Sequence, residues 1–126
     1  MQHAHMAFIV VAEDPATFES WARLERQDAV ASLDEESRAG QMAFEAKACA
    51  ACHTVRGTAA QGTNGPDLTH VGGRRFIAAG LVETTRGSLA AWIADPQTIK
   101  PGNNMPMVPL SAEELRSLSA YLVSLK

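Results

Sequence analysis

The stretch Cys49-Ala50-Ala51-Cys52-His53 constrains this chain more than any other, because it contains both of its cysteines and sets a histidine directly after the second. A Cys-x-x-Cys-His run reads as a c-type haem attachment site. Two thiols can add to the two vinyl groups of the porphyrin, and the next residue then offers an imidazole to the iron as proximal ligand. Two other chemistries use paired cysteines. A redox dithiol usually accompanies a strand–helix–strand pattern, which is missing here. A zinc site needs four ligands. His70 is the candidate fourth after Cys49, Cys52 and His53, but adjacent Cys and His rarely both reach one tetrahedral ion. Haem attachment is the reading these residues favour.

A chain of 126 residues allows one domain plus an appendage. No apolar run approaches the length of a membrane span; Ala7-Phe8-Ile9-Val10-Val11-Ala12 suits a strand instead. Met1 leads straight into Gln2-His3-Ala4-His5-Met6 without a leader pattern. Haem is attached to such proteins outside the energy-coupling membrane, so this beginning suggests a piece of a longer chain or a replaced leader. The net charge of −3 is unevenly divided: residues 1–36 carry −6 and residues 37–126 carry +3. No dense basic stripe interleaved with aromatics points to nucleic acid. The positive excess of the second part suits the two propionates of a haem.

Along the chain, Phe8 to Val11 predicts a strand, although a lone strand needs a partner. Residues 14–29 read as a helix capped by Asp14 with Pro15 in its first turn, bearing Phe18, Trp21 and Ala22 on a partly apolar face. Residues 27–37 read as an acidic linker. A helix over 36–48 sets Ala39, Met42, Ala43 and Ala46 on one face and runs directly into Cys49; Gly40 inside it suggests a close helix crossing. Residues 56–73 are a Gly/Thr/Asn-rich loop. Arg74-Arg75 follows, and beside a haem either can pair with a propionate in a bidentate fork. A short helix over 88–94, with Ser88 as cap, ends at Asp95-Pro96; 97–110 is again loop. Ser111-Ala112-Glu113-Glu114 is a capping box that starts a last helix striped by Leu115, Leu118, Tyr121, Leu122 and Leu125.

The second axial position decides function. Left open, it would permit gas binding or peroxide chemistry; filled by a strong ligand, it restricts the iron to electron transfer. The candidates are Met6, Met42, His70, Met105 and Met107. Met42 falls on the apolar stripe of its helix, which suggests core packing, and His70 sits in a Gly-rich loop. Met105 is the strongest, on a Pro/Gly loop stiffened by Pro106, with Met107 as the fallback. A thioether favours Fe(II) and so raises the potential.

Residues 37–126 resemble a class I cytochrome c domain through Gly40 and Phe44, the Cys49–His53 motif, Gly65-Pro66-Asp67-Leu68, Trp92-Ile93-Ala94-Asp95-Pro96, Met105-Pro106 and a final helix with Tyr121. The phrases from Cys52 to Ala59, from Gly65 to Gly72 and from Ile99 to Pro106 are similar to the haem domain fused to subunit II of caa-type cytochrome c oxidases. In that subunit a cupredoxin domain with a dinuclear copper (CuA) centre precedes the haem domain. His3-Ala4-His5-Met6 and the strand after it resemble the end of the cupredoxin, whose cysteine pair this chain lacks.

The resemblance implies an all-α class I cytochrome c fold over 37–126, with 1–36 as the cupredoxin remnant, helix and linker. It implies one covalent haem c on Cys49 and Cys52, with His53 and Met105 on the iron. The Pro66 carbonyl would accept the Nδ1 proton of His53, and Leu68, Arg74, Arg75 and Trp92 would line the haem. It further implies an electron carrier, not itself an enzyme. The donor would be a cytochrome c, an iron–sulfur protein or a quinol-oxidising complex; the acceptor would be CuA in a membrane-anchored oxidase on the periplasmic side. A free-standing diffusible cytochrome is the alternative.

Overall fold

The computed structural model describes residues 8–30 and 34–126. The His3…Met6 pattern, with Met6 as a ligand candidate, lies outside the described residues. Among the described residues six helices follow in order: α1 (Pro15–Glu25), α2 (Glu35–Ala46), α3 (Cys49–Cys52), α4 (Arg86–Ala94), α5 (Pro96–Ile99) and α6 (Ala112–Ser124). Between α3 and α4 lie a 3₁₀ turn, Val71–Gly73, and a two-stranded ribbon, β1 (Phe76–Ile77) with β2 (Val82–Glu83). No helix among the described residues is long and apolar enough to cross a membrane.

The packing of α2 on α6 organises the fold. Asp34 caps α2 by accepting from Ser37 N, and Ser111 caps α6 in the reciprocal box with Glu114. The two helices meet at Gly40. A Cβ there would collide with the Ser117 carbonyl and come within 2.7 Å of Tyr121 Cβ, so only glycine allows the approach. Tyr121 stacks edge-on against Phe44, with ring centroids 5.9 Å apart, and Phe44 lies 6.5 Å from the His53 ring. The crossing therefore sets the height of His53. Burial holds the Tyr121 hydroxyl un-ionised, its pKa pushed up to about 12. Val55, Leu89, Ile93, Leu118, Leu122 and Leu125 complete the core around this pair.

Several elements depart from the sequence expectation. α2 ends at Ala46, and Lys47 adopts an extended backbone, so the cysteines occupy a separate turn instead of continuing the helix. Lys47 pairs with Glu114 at 2.9 Å across the gap. Residues 8–12 form no strand; Phe8 is 86 % exposed and, among the described residues, has no neighbouring strand to pair with. The apolar face of α1 also stays open, with Phe18 and Trp21 both 52 % exposed and only Ala22 buried. Met42 is 66 % exposed, because the buried face of α2 runs through Ser37, Gly40 and Phe44. The cap of α4 is Thr85, whose hydroxyl accepts from Ser88 N, so the helix starts two residues early. α5 puts a helical turn where loop was expected; Pro96 suits its first position and Asp95 caps it. The β1–β2 ribbon carries no alternating pattern long enough to announce it. Its reversal uses Ala78 and Ala79 at φ 54° and 61°, a region alanine rarely visits.

Candidate functional site

The α3 turn brings Cys49 and Cys52 onto one face, as three-residue spacing on a helix requires. Both thiols are free and half-buried. Two backbone bonds anchor the turn from behind: Gly65 N donates to Cys52 O at 2.7 Å and Gly62 N to His53 O at 3.2 Å. Gly62 packs so closely that a Cβ would lie 2.5 Å from the Ala51 and Cys52 carbonyl carbons. Burial pushes the Cys49 thiol up, the opposite of what an activated redox dithiol needs. Among the described residues no three His, Cys, Asp or Glu side chains converge to hold a metal ion.

His53 is the C-cap of this turn, its N–H donating to Cys49 O at 2.9 Å. Its Nδ1 lies 2.8 Å from the Pro66 carbonyl oxygen. A carbonyl only accepts, so Nδ1 carries a proton, and in the neutral imidazole Nε2 then keeps its lone pair. Gly65 forms the wall beside the ring: a Cβ there would lie 2.5 Å from Cε1 and 2.7 Å from Nδ1. His70 faces elsewhere. It is buried, and its Nε2 donates to Gln27 O at 3.1 Å, which occupies it against the tail of α1.

The segment after α5 holds Met105 by both backbone groups. Met105 N donates to Asn103 Oδ1 at 2.8 Å, and Gln97 Nε2 donates to Met105 O at 3.1 Å. Asn103 Nδ2 is itself tied to the Pro96 and Lys100 carbonyls, at 2.8 and 2.7 Å. Met105 is half-buried, whereas Met107 is 62 % exposed. Neither Gln97 nor Asn103 was singled out from the sequence. The available signal was an Asn two residues before a Met in a Pro/Gly loop, the spacing of an Asx turn.

Leu68, Arg74, Arg75 and Trp92 are the other predicted site residues. Leu68 and Trp92 pack half-buried against the core. Arg74 donates to the Asp67 carbonyl at 2.7 Å, while the exposed Arg75 guanidinium has no ion-pair partner among the described residues. Asp67 is partly buried, which opposes its ionisation. Hydrogen bonds from Thr69 and the charges of Arg56 and Arg74 outweigh this and hold its carboxyl below the usual range.

A family model described as cytochrome c matches residues 37–126. This chain belongs to the cytochrome c family. The helical architecture is that of a class I cytochrome c, and membership implies a covalent haem c. The residues in place fit such a group: two thiols one helical turn apart, an imidazole held by Gly65 and Pro66 with Nε2 available, and a thioether on a braced loop. The chain is also similar to cytochrome c oxidase subunit 2 of Alkalihalophilus pseudofirmus, at 37 % identity over 125 residues, and of Bacillus subtilis, at 32 % over 131. Each alignment covers 98 % of this chain but 36 % of the relative, so the chain spans about a third of the length of these relatives.

Proposed function

We propose that residues 37–126 carry one haem c, bound through Cys49 and Cys52 and ligated by His53 and Met105, and that the domain transfers electrons within a terminal oxidase. The observation that carries this reading is the His53 Nδ1 bond to the Pro66 carbonyl, because it turns an ordinary histidine into an oriented ligand. Bound iron would supply a one-electron couple whose charge changes while its ligands stay. The chain supplies the rest. Pro66 fixes the imidazole tautomer and strengthens its basicity. Asn103 and Gln97 hold the Met105 backbone in advance, which lowers the cost of keeping a weak thioether in place. That brace favours Met105 over the exposed Met107. Arg74 and Arg75 stand as the propionate partners, Arg75 with no ion pair among the described residues.

The relatives' printed identity supports the wider setting. The domain receives electrons from a donor redox protein, such as a cytochrome c, an iron–sulfur protein or a quinol-oxidising complex. It passes them to a CuA centre on the preceding part of the same polypeptide, on the periplasmic face of the bacterial inner membrane. Residues 1–36 then mark the end of that copper domain and its linker. The test uses a longer chain that includes the preceding domain. After photoreduction of the haem, its reoxidation and the bleaching of the copper band should share one rate constant, independent of protein concentration. A rate proportional to concentration, or an unreduced copper centre, would contradict the assignment.

A further inference from the structure

The tail of α1 is fastened to the loop that supports His53. Arg56 reaches across to donate from its guanidinium to Glu25 O at 2.6 Å, satisfying a carbonyl that the helix end leaves orphaned. Its backbone carbonyl accepts from Ala29 N at 3.0 Å, and His70 Nε2 donates to Gln27 O at 3.1 Å. Gly57, at φ +83°, lies so close that a Cβ would come within 2.9 Å of Asp28 Cβ. Ala29 packs against the core. The same Arg56 stands 3.8 Å from the Asp67 carboxylate, and Asp67 follows Pro66, whose carbonyl holds His53. Three polar contacts over five consecutive residues, joined across 27 or more positions of sequence, are unusual for a linker.

We infer that Arg56 and His70 form a clamp that fixes the N-terminal helix, and whatever precedes it, at a set distance and angle from the haem. The inference rests on the proposed transfer to a centre upstream in the same polypeptide, since tunnelling rates fall exponentially with separation. A flexible tether would give a spread of distances; a clamped one gives a single rate. Arg56 and His70 are positioning residues in this scheme. They act on the geometry between domains and leave the axial ligands alone. His70 is turned toward Gln27, and the Arg56 side chain is divided between Glu25 and Asp67.

Trp21 on α1 is a natural reporter, because haem quenches tryptophan fluorescence by energy transfer. Trp92 is kept in place, and its own contribution is subtracted with a Trp21→Phe chain. The haem-loaded chain should show one short, homogeneous Trp21 lifetime and a slowly exchanging Ala29 amide. Arg56→Met with His70→Leu should lengthen the mean lifetime severalfold, spread it over several components and speed Ala29 exchange manyfold. The far-red thioether-to-iron band should not move. His70→Gln, whose amide can still donate to Gln27 O, should behave as wild type, and His70→Leu alone should fall between. This single-site pair decides the matter if the double variant does not fold. Unchanged lifetime and exchange would overturn the clamp. So would loss of the far-red band together with them, or a His70→Gln variant no better than His70→Leu. Absence of covalent haem would instead refute the functional reading, and Ala29 exchange would still test the clamp.

Discussion

The segments that carry His53 and Met105 are supported by different means. On the His53 side the support is main chain: a proline carbonyl, a glycine wall and backbone bonds from Gly62 and Gly65 to the cysteine turn. On the Met105 side it is side chain: the Asn103 and Gln97 amides hold the segment, and Gly102 turns it at φ +81° in open space. Main-chain support moves only if the fold moves. Side-chain support can be lost one amide at a time, which makes the Met105 loop the part that opens first.

The two glycines give the sharpest contrast. Gly65→Ala drives a methyl group into the His53 ring and should cost about 1–3 kcal/mol by denaturant unfolding, with haem loading reduced. Gly102→Ala meets nothing within 4 Å and pays only for its left-handed backbone, about 1 kcal/mol. If Gly102→Ala proved the more damaging, the contrast between the two sides would be wrong. Asn103→Ala is the next test. It should lower by several degrees the temperature at which the far-red band disappears, while the Soret band and global unfolding change little. Equal loss of both would mean the loop and the core open together.

The smallest effect concerns acid. The Asp67 carboxyl is held below its ordinary value, so its stabilisation is present above the unfolded pKa near 4 and is lost as pH falls through the folded value. Asp67→Asn should therefore flatten the stability profile below about pH 4. A profile identical to wild type would mean that the Thr69 hydrogen bonds and the Arg56 and Arg74 charges do not stabilise the folded Asp67 carboxylate.

Legibility followed the same division. Gly40 and the Ser111 capping box are short-range patterns that need fixed spacing, and the close crossing and the cap stand at those residues; Cys49 and Cys52 share a helical turn, as their spacing requires, but one separate from α2. The Gln97–Asn103 brace and the Arg56–His70 clamp join residues whose partners are set only by tertiary packing. The strand expected at Phe8–Val11 failed for a related reason. Its β-branched residues carry the propensity, but a strand exists only with a neighbour to bond. The Ala78–Ala79 reversal was invisible because alanine does not announce a left-handed backbone.

The central claim, that one covalent haem is closed by His53 and Met105 into an electron carrier, is tested most directly by the far-red absorption band of the oxidised protein. The account predicts that the band is present in the wild-type chain, survives Met107→Ala and disappears in Met105→Ala. A band that survives Met105→Ala, or is missing from the wild type, would contradict it.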